Sequence, residues 1–253
     1  MALMNHDPKR SIQWFNEAVE GVPELFSTTF FERFVHYAGY RDYERIRLLI
    51  RLMMESPLPA VAMAGARQAC IHGLTLAEAA EDAEGACRGA DALREGAAGV
   101  YAREVANNQV GPACRSKLKT SFFDPVDTVR TKAVSTFQHL SQLTTMEQAD
   151  LLQSFLESKP KISQLWLVLR FLQNSPVQLP DLIIKLAELC VLDSNEAERG
   201  HRQSASLELS KIIVRLLVQT EDSQVRTKCL DLIDVMEEYH FVGLSPELYR
   251  VER

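Results

Sequence analysis

The residues best suited to nucleophilic or metal chemistry in this chain are six histidines and five cysteines, and their spacing argues against both uses. His6, His36, His72, His139, His201 and His240 are dispersed, with no nucleophile or ligand partner beside any of them in sequence. A general base has to lie within hydrogen-bond reach of the proton it takes. Cys70, Cys87, Cys114, Cys190 and Cys229 form no CxxC pair. They sit in apolar, helical-looking stretches, as reduced and buried thiols do. Cys70-Ile71-His72 is the one close Cys/His pair, and it lacks the two further ligands of a zinc site. The patterns GxxxxGK[ST], GxGxxG, HExxH and GxSxG are absent. Paired carboxylates such as Glu81-Asp82 and Glu237-Glu238 read as solvated helix faces. The expectation is a chain without a catalytic residue, metal or cofactor.

Two basic clusters remain. Arg115, Lys117 and Lys119 run up to Phe122-Phe123, with Lys132 expected on an adjoining helix, and Arg199, His201 and Arg202 follow Asn195-Glu196. Arg115, Lys117, Lys119, Arg199 and Arg202 are therefore the candidate binding residues. Three charges per cluster are few beside the several phosphate contacts that nucleic-acid binding uses. A net charge of −6 and a pI near 5.6 point the same way. A solvated face is the plainer reading of both clusters. The aromatic cluster of Phe30, Phe31, Phe34, Tyr37, Tyr40 and Tyr43 reads mostly as helical core, with its tyrosines as candidates for a share in an interface.

The elements that must carry these residues are helices. In residues 41–55, Tyr43, Ile46, Leu49, Ile50 and Met53 fall at three- and four-residue steps, with Arg45, Arg47, Arg51 and Glu55 around the rest. Pro57 and Pro59 stop that helix and start the next. Further helices are expected from Asp124-Pro125 to about Leu140, from Thr144 (a capped start with Glu147) to Ser158, and over 162–174, 181–192, 205–219 and 224–239. Gly243-Leu244-Ser245-Pro246 is expected to cap the last of these before a short terminal helix. Residues 60–106 hold 16 alanines and 6 glycines. Glycine inside a helix costs about 0.5–1 kcal/mol relative to alanine, so close helix packing is expected there. Gly85 and Gly89, one turn apart, are the pair expected to seat a neighbour.

A short phrase recurs through these helices. It reads Val129-Arg130-Thr131-Lys132-Ala133 and again Val225-Arg226-Thr227-Lys228-Cys229. Looser copies are Leu93-Arg94-Glu95-Gly96-Ala97 and Val61-Ala62-Met63-Ala64-Gly65-Ala66. The copies lie 32, 36 and 96 residues apart, five periods of about 33. Acidic residues precede them: Asp91, Asp124 with Asp127, and Glu221 with Asp222. The apolar residue is expected to face a partner helix, the small one to let helices approach, and Arg94, Arg130 and Arg226 to reach the acidic groups of the preceding turn.

The D-x-x-VR-x-x-A form, best carried by Asp127/Val129/Arg130/Ala133 and Asp222/Val225/Arg226/Cys229, resembles the HEAT repeat, above all the short HEAT-like repeats of bacterial proteins. The likeness covers residues 57–250, with no copy of the phrase near 160 or 194. It implies an all-α fold: an α-solenoid of five to six antiparallel helix pairs over 57–253, with residues 1–56 as extra N-terminal helices packed on it. It implies a non-catalytic scaffold or adaptor whose partner is another protein in a multi-subunit complex. The terminal run from Cys229 is similar to the ends of solenoids in large bacterial multidomain proteins, including NTPases that sense invaders. That suggests a sensor module or subunit of a bacterial defence or regulatory complex. The alternative is a nucleic-acid binder like the HEAT-like DNA glycosylases, which needs a basic groove lined by aromatics and a carboxylate. A HEAT-like bilin lyase is a third option that the cysteines do not favour. The N-terminus lacks an apolar signal core, and no run of about 18 apolar residues occurs, so a cytoplasmic chain without membrane contact is expected.

Overall fold

The computed structural model describes residues 7–21, 43–75, 85–86, 88–106, 111–173, 179–192 and 199–251. These form helices and turns, with no strand among the described residues. The fold is all-α. No helix among them is long and apolar enough to cross a membrane. The chain divides into two compact units, Met1–Ala133 and Val134–Arg253.

The first unit contains α1 (Pro8–Gly21), α2 (Tyr43–Met54), α3 (Pro59–Thr75), α4 (Asp91–Glu104), α5 (Gly111–Phe122) and the start of α6 (Asp127–Val134). Proline opens α1 and α3, where its missing N–H would be unpaired anyway. α1 packs on α2, α2 on α3, α3 on α4 and α4 on α5. Squeezed between two neighbours, α3 is buried almost all round, from Val61 and Ala62 to Cys70 and Ile71. That sandwiching explains its run of small residues. A Cβ added to Gly65 would lie 2.7 Å from Met53 Cβ and 2.9 Å from the Met54 nitrogen of α2. One added to Gly96 on α4 would lie 2.8 Å from the Met63 carbonyl oxygen of α3. Two of the phrase's small positions thus bring three helices together. Gly85 and Gly89 do not share that task. A Cβ on Gly85 would meet nothing within 4 Å, and one on Gly89 would meet only nearby Leu93 and Ala86. The aromatics from Phe30 to Tyr40, the Tyr43 side chain and Cys87 lie outside the described residues.

The second unit opens with a departure from the expected helix. α6 stops at Val134 and the chain tightens into a 3-10 segment, Ser135–Gln142. The reason is in the spacing: Val134, Phe137, Leu140 and Leu143 are all buried, three residues apart. A 3-10 helix turns once every three residues and so keeps such a row on one line, where an α-helix would rotate it away. Phe137 meets Phe155 edge to face, ring centroids 5.3 Å apart. Then follow α7 (Thr145–Glu157), α8 (Ile162–Leu172), α9 (Pro180–Leu192), α10 (Arg199–Gln219), α11 (Ser223–Glu238) and α12 (Leu244–Val251). α7 begins with the expected reciprocal cap: the Thr144 hydroxyl oxygen accepts from the Glu147 N–H, and the Thr144 N–H donates to Glu147 Oε2. Asp222 caps α11, its Oδ1 accepting from the N–H groups of Gln224 and Val225. α11 ends at a left-handed His240 (φ 55°), with the Phe241 N–H donating to the Met236 carbonyl. Gly243, expected to cap α11, instead turns the chain (φ 88°) into α12.

Within this unit the helices alternate between two layers. α7 packs on α9 and α9 on α11; the 3-10 segment packs on α8, α8 on α10 and α10 on α12. Sequence neighbours touch across the layers, as α9 does α10 and α10 does α11. The cross-contacts join like ends. Arg215, late in α10, donates from Nη1 to the Gln173 carbonyl at 3.1 Å, at the C-terminus of α8. Lys228, early in α11, lies 3.7 Å from Asp181 at the start of α9.

Candidate binding surfaces

In the first unit, the second and third copies of the recurring phrase build a small cationic cavity. Arg94, on the first turn of α4, donates from Nε to Asp124 Oδ2 at 2.8 Å, from Nη1 to the Gly89 carbonyl at 2.8 Å and from Nη2 to Asp91 Oδ1 at 2.9 Å. Asp124 belongs to the turn before the next copy of the phrase, 30 residues on. The paired carboxylates, Asp124 first, raise the Arg94 pKa further. Arg130 makes the local version, bonding the Asp124 carbonyl and the Asp127 carboxylate. The Arg226 side chain is exposed and has no hydrogen bond or ion pair among the described residues. The arginines are thus one bridge between copies, one local clasp and one solvated charge. The expected reach to the preceding turn holds for Asp91 and Asp127, and the longer reach of Arg94 runs forward instead.

Around that bridge lies a cavity of about 270 Å³, lined by Arg88, Arg94, Tyr101, Lys117, Thr120 and Asp124 among others. The Lys117 ammonium stands 5.8 Å from the centre of the buried Tyr101 ring. The Thr120 and Ser121 hydroxyls donate to backbone carbonyls of their own helix, those of Ser116 and Lys117. Cys114 is buried on α5, and burial pushes its thiol up to about 12, with Glu104 adding to the rise. Burial raises Cys229 too. Both stay protonated at neutral pH and unsuited to nucleophilic attack. Cys70 Sγ lies 3.8 Å from the Tyr101 hydroxyl. Among the described residues no three His, Cys, Asp or Glu side chains gather as a metal site requires.

In the second unit the larger concavity, about 570 Å³, runs between α7 and α9. Leu156, Leu189 and Pro160 supply apolar surface, and Gln153, Glu157, Lys185 and Glu188 the polar rim. Leu189 is 40% exposed, high for a leucine flanked by carboxylates. Gln153 Nε2 donates to Glu157 Oε1 at 2.7 Å and holds that carboxylate at the edge. The layer around the groove is acidic. α7 carries Glu147, Asp150 and Glu157; α9 carries Asp181 and Glu188 against Lys185; α11 carries Asp231, Asp234, Glu237 and Glu238 against Arg226 and Lys228. The three helices alone sum to −6, the net charge of the whole chain. The described side chains of α8, α10 and α12 are mixed instead: Arg170, Lys211 and Arg215 against Glu208 and Glu247.

No family model, curated protein or solved structure matches the chain. Its sites are therefore read from its own residues.

Of the candidates named from sequence, Lys117 lines the cationic cavity. Arg115 and Lys119, two residues to either side on α5, are half-buried and do not line it. Residues two apart on a helix point about 200° apart, so the run 115, 117, 119 cannot share one face. Arg199 and Arg202 fall on the first turn of α10, and their side chains lie outside the described residues. The α7–α9 groove was missed because its walls come from helices two places apart. No local signal marks it, since the exposure of Leu189 is a property of the fold and not of the residues beside it.

Proposed function

We propose that this chain is a non-catalytic interaction scaffold: a stack of HEAT-like helix pairs that binds another protein as part of a complex. The carrying observation is the two-layer alternation of the second unit, in which every helix packs on the one two places along. Stacked repeats behave this way because a single helix pair cannot bury its own apolar stripe. The joining of like ends, Arg215 to α8 and Lys228 to α9, supports the same reading. So do the buried apolar and small positions of the phrase: Val129 and Ala133, Val225 and Cys229. The groove over α7 and α9 is the docking surface this reading favours, since it joins apolar floor to a charged rim as interface centres do. Membership of a bacterial defence or regulatory assembly is the biological setting proposed for it.

The test is cross-linking in the source cells followed by affinity isolation of the tagged chain. A partner present in stoichiometric amount, linked through Lys185 or Lys228, supports the scaffold. A chain recovered alone, at every tag position and cross-linker length, refutes it.

A further inference from the structure

We infer that the α7–α9 groove receives a basic protein segment: an apolar side chain set into the groove, flanked by lysine or arginine. The inference rests on the scaffold reading and gives the partner its chemistry.

Two independent features converge. The first is shape and polarity. Leu156 and Leu189 sit under a concavity of about 570 Å³, within the size range of pockets that enclose a ligand group. The second is a placement of charge that works against the fold. The lining residues of α7 (Gln153, Leu156, Glu157) and, apart from mid-helix Lys185, those of α9 (Glu188, Leu189) belong to the C-terminal halves of their helices. Two negative helix ends therefore flank one groove. A helix C-terminus favours cations and is disfavoured by carboxylates. Yet α7 ends on Glu157, α9 has Glu188 near its end, and α11 ends on Glu237-Glu238. None of the three has a basic residue in its last turn. The carboxylates of Glu188, Asp234, Glu237 and Glu238 also have no hydrogen bond or ion pair among the described residues. Among the described residues Lys185 is the one cation on the rim, against two carboxylates.

Carboxylates placed at these helix ends favour a ligand that brings positive charge. A bare polycation would leave Leu156 and Leu189 wet, and a purely apolar segment would leave the carboxylates unmatched. A basic segment with an apolar anchor satisfies both. Electrostatic attraction of this kind speeds encounter and weakens with salt.

The experiment is fluorescence anisotropy with three labelled synthetic peptides: one with a Leu-x-x-Leu core flanked by arginines, one with the arginines changed to glutamate, and one with the leucines changed to serine. The expected result is binding of the first peptide alone, falling at least about tenfold from low to physiological salt. The double charge reversal Glu157→Lys with Glu188→Lys should weaken it at least about tenfold and gain binding of the glutamate peptide. Leu189→Arg should weaken the first peptide in the same way. All three residues are at the surface of the groove, and circular dichroism checks that each variant folds. Equal binding of the serine or glutamate peptide, no effect of the charge reversal, or no binding of the first peptide overturns the inference. The scaffold reading stands or falls separately, on whether any partner is cross-linked in cells.

Discussion

Replacing Gly65 by alanine should destabilise the first unit, although alanine is the better helix former. The new methyl would lie 2.7 Å from Met53 Cβ, 2.9 Å from the Met54 nitrogen and 3.1 Å from the Ile50 carbonyl oxygen. Carbon atoms in good contact sit about 3.5–4.0 Å apart. Two of these neighbours are backbone, so no side-chain rotation clears the space, and α2 must move away from α3. Overpacking of that kind costs about 1–3 kcal/mol. The helix-propensity gain offsets about 1 kcal/mol of it. The net expectation is a loss of up to about 2 kcal/mol, and a gap of about 1–3 kcal/mol from a glycine-to-alanine change with open space. Gly99→Ala is the internal control, since a Cβ there meets nothing within 4 Å. It should gain about 0.5–1 kcal/mol. Urea unfolding followed by far-ultraviolet circular dichroism measures both. If Gly65→Ala proves as stable as Gly99→Ala, α2 and α3 are not in backbone contact and the account of the alanine-rich segment fails.

Three further outcomes are expected. Thr136, fully buried in the 3-10 segment with an unpaired hydroxyl, should become more stable by about 1 kcal/mol as Thr136→Val, measured by urea unfolding. Thr144→Ala, which removes the reciprocal cap of α7, should cost about 1 kcal/mol in the same assay, and an unchanged midpoint would mean the cap is not formed in solution. The raised Cys114 pKa makes stability pH-dependent with a definite sign. Folded Cys114 keeps its proton to about 12, whereas the unfolded thiol loses it from 9.0, so stability present below pH 9 drains away between those values. The slope is at most about 1.4 kcal/mol per pH unit, and Cys114→Ala should flatten the difference between pH 8 and alkaline midpoints relative to the parent chain.

Much of the fold is legible in the sequence because helix ends are local chemistry. Pro59, Thr144 with Glu147, and Asp222 each mark a start within a residue or two, and each does its work through neighbours in the chain. The 3-10 segment was not legible, because over a run that short an α-helical period fits Val134, Phe137, Leu140 and Leu143 almost as well as a three-residue one. Arg94 is different. Its main partner is 30 residues away, and nothing near Arg94 distinguishes it from Arg226, whose side chain has none among the described residues. The groove is beyond local reading altogether. Glu157 and Glu188 become neighbours only because α8 crosses to the other layer between them, and a sequence does not say which helices share a layer.

The hydrogen bonds of Arg215 also order events in time. The last carbonyls of any helix lack partners within it, and α8 finds outside donors for Leu172 and Gln173 in a side chain 42 to 43 residues downstream. During synthesis α8 leaves the ribosome with that end unfinished, and it stays so until nearly all of α10 has followed. Chains lengthen at about 5–20 residues per second, so the gap lasts seconds, long beside the sub-microsecond to microsecond time in which a helix forms. For that interval the C-terminus of α8 is a loose edge that a chaperone or a second nascent chain can reach. It closes once α10 has formed as far as Arg215.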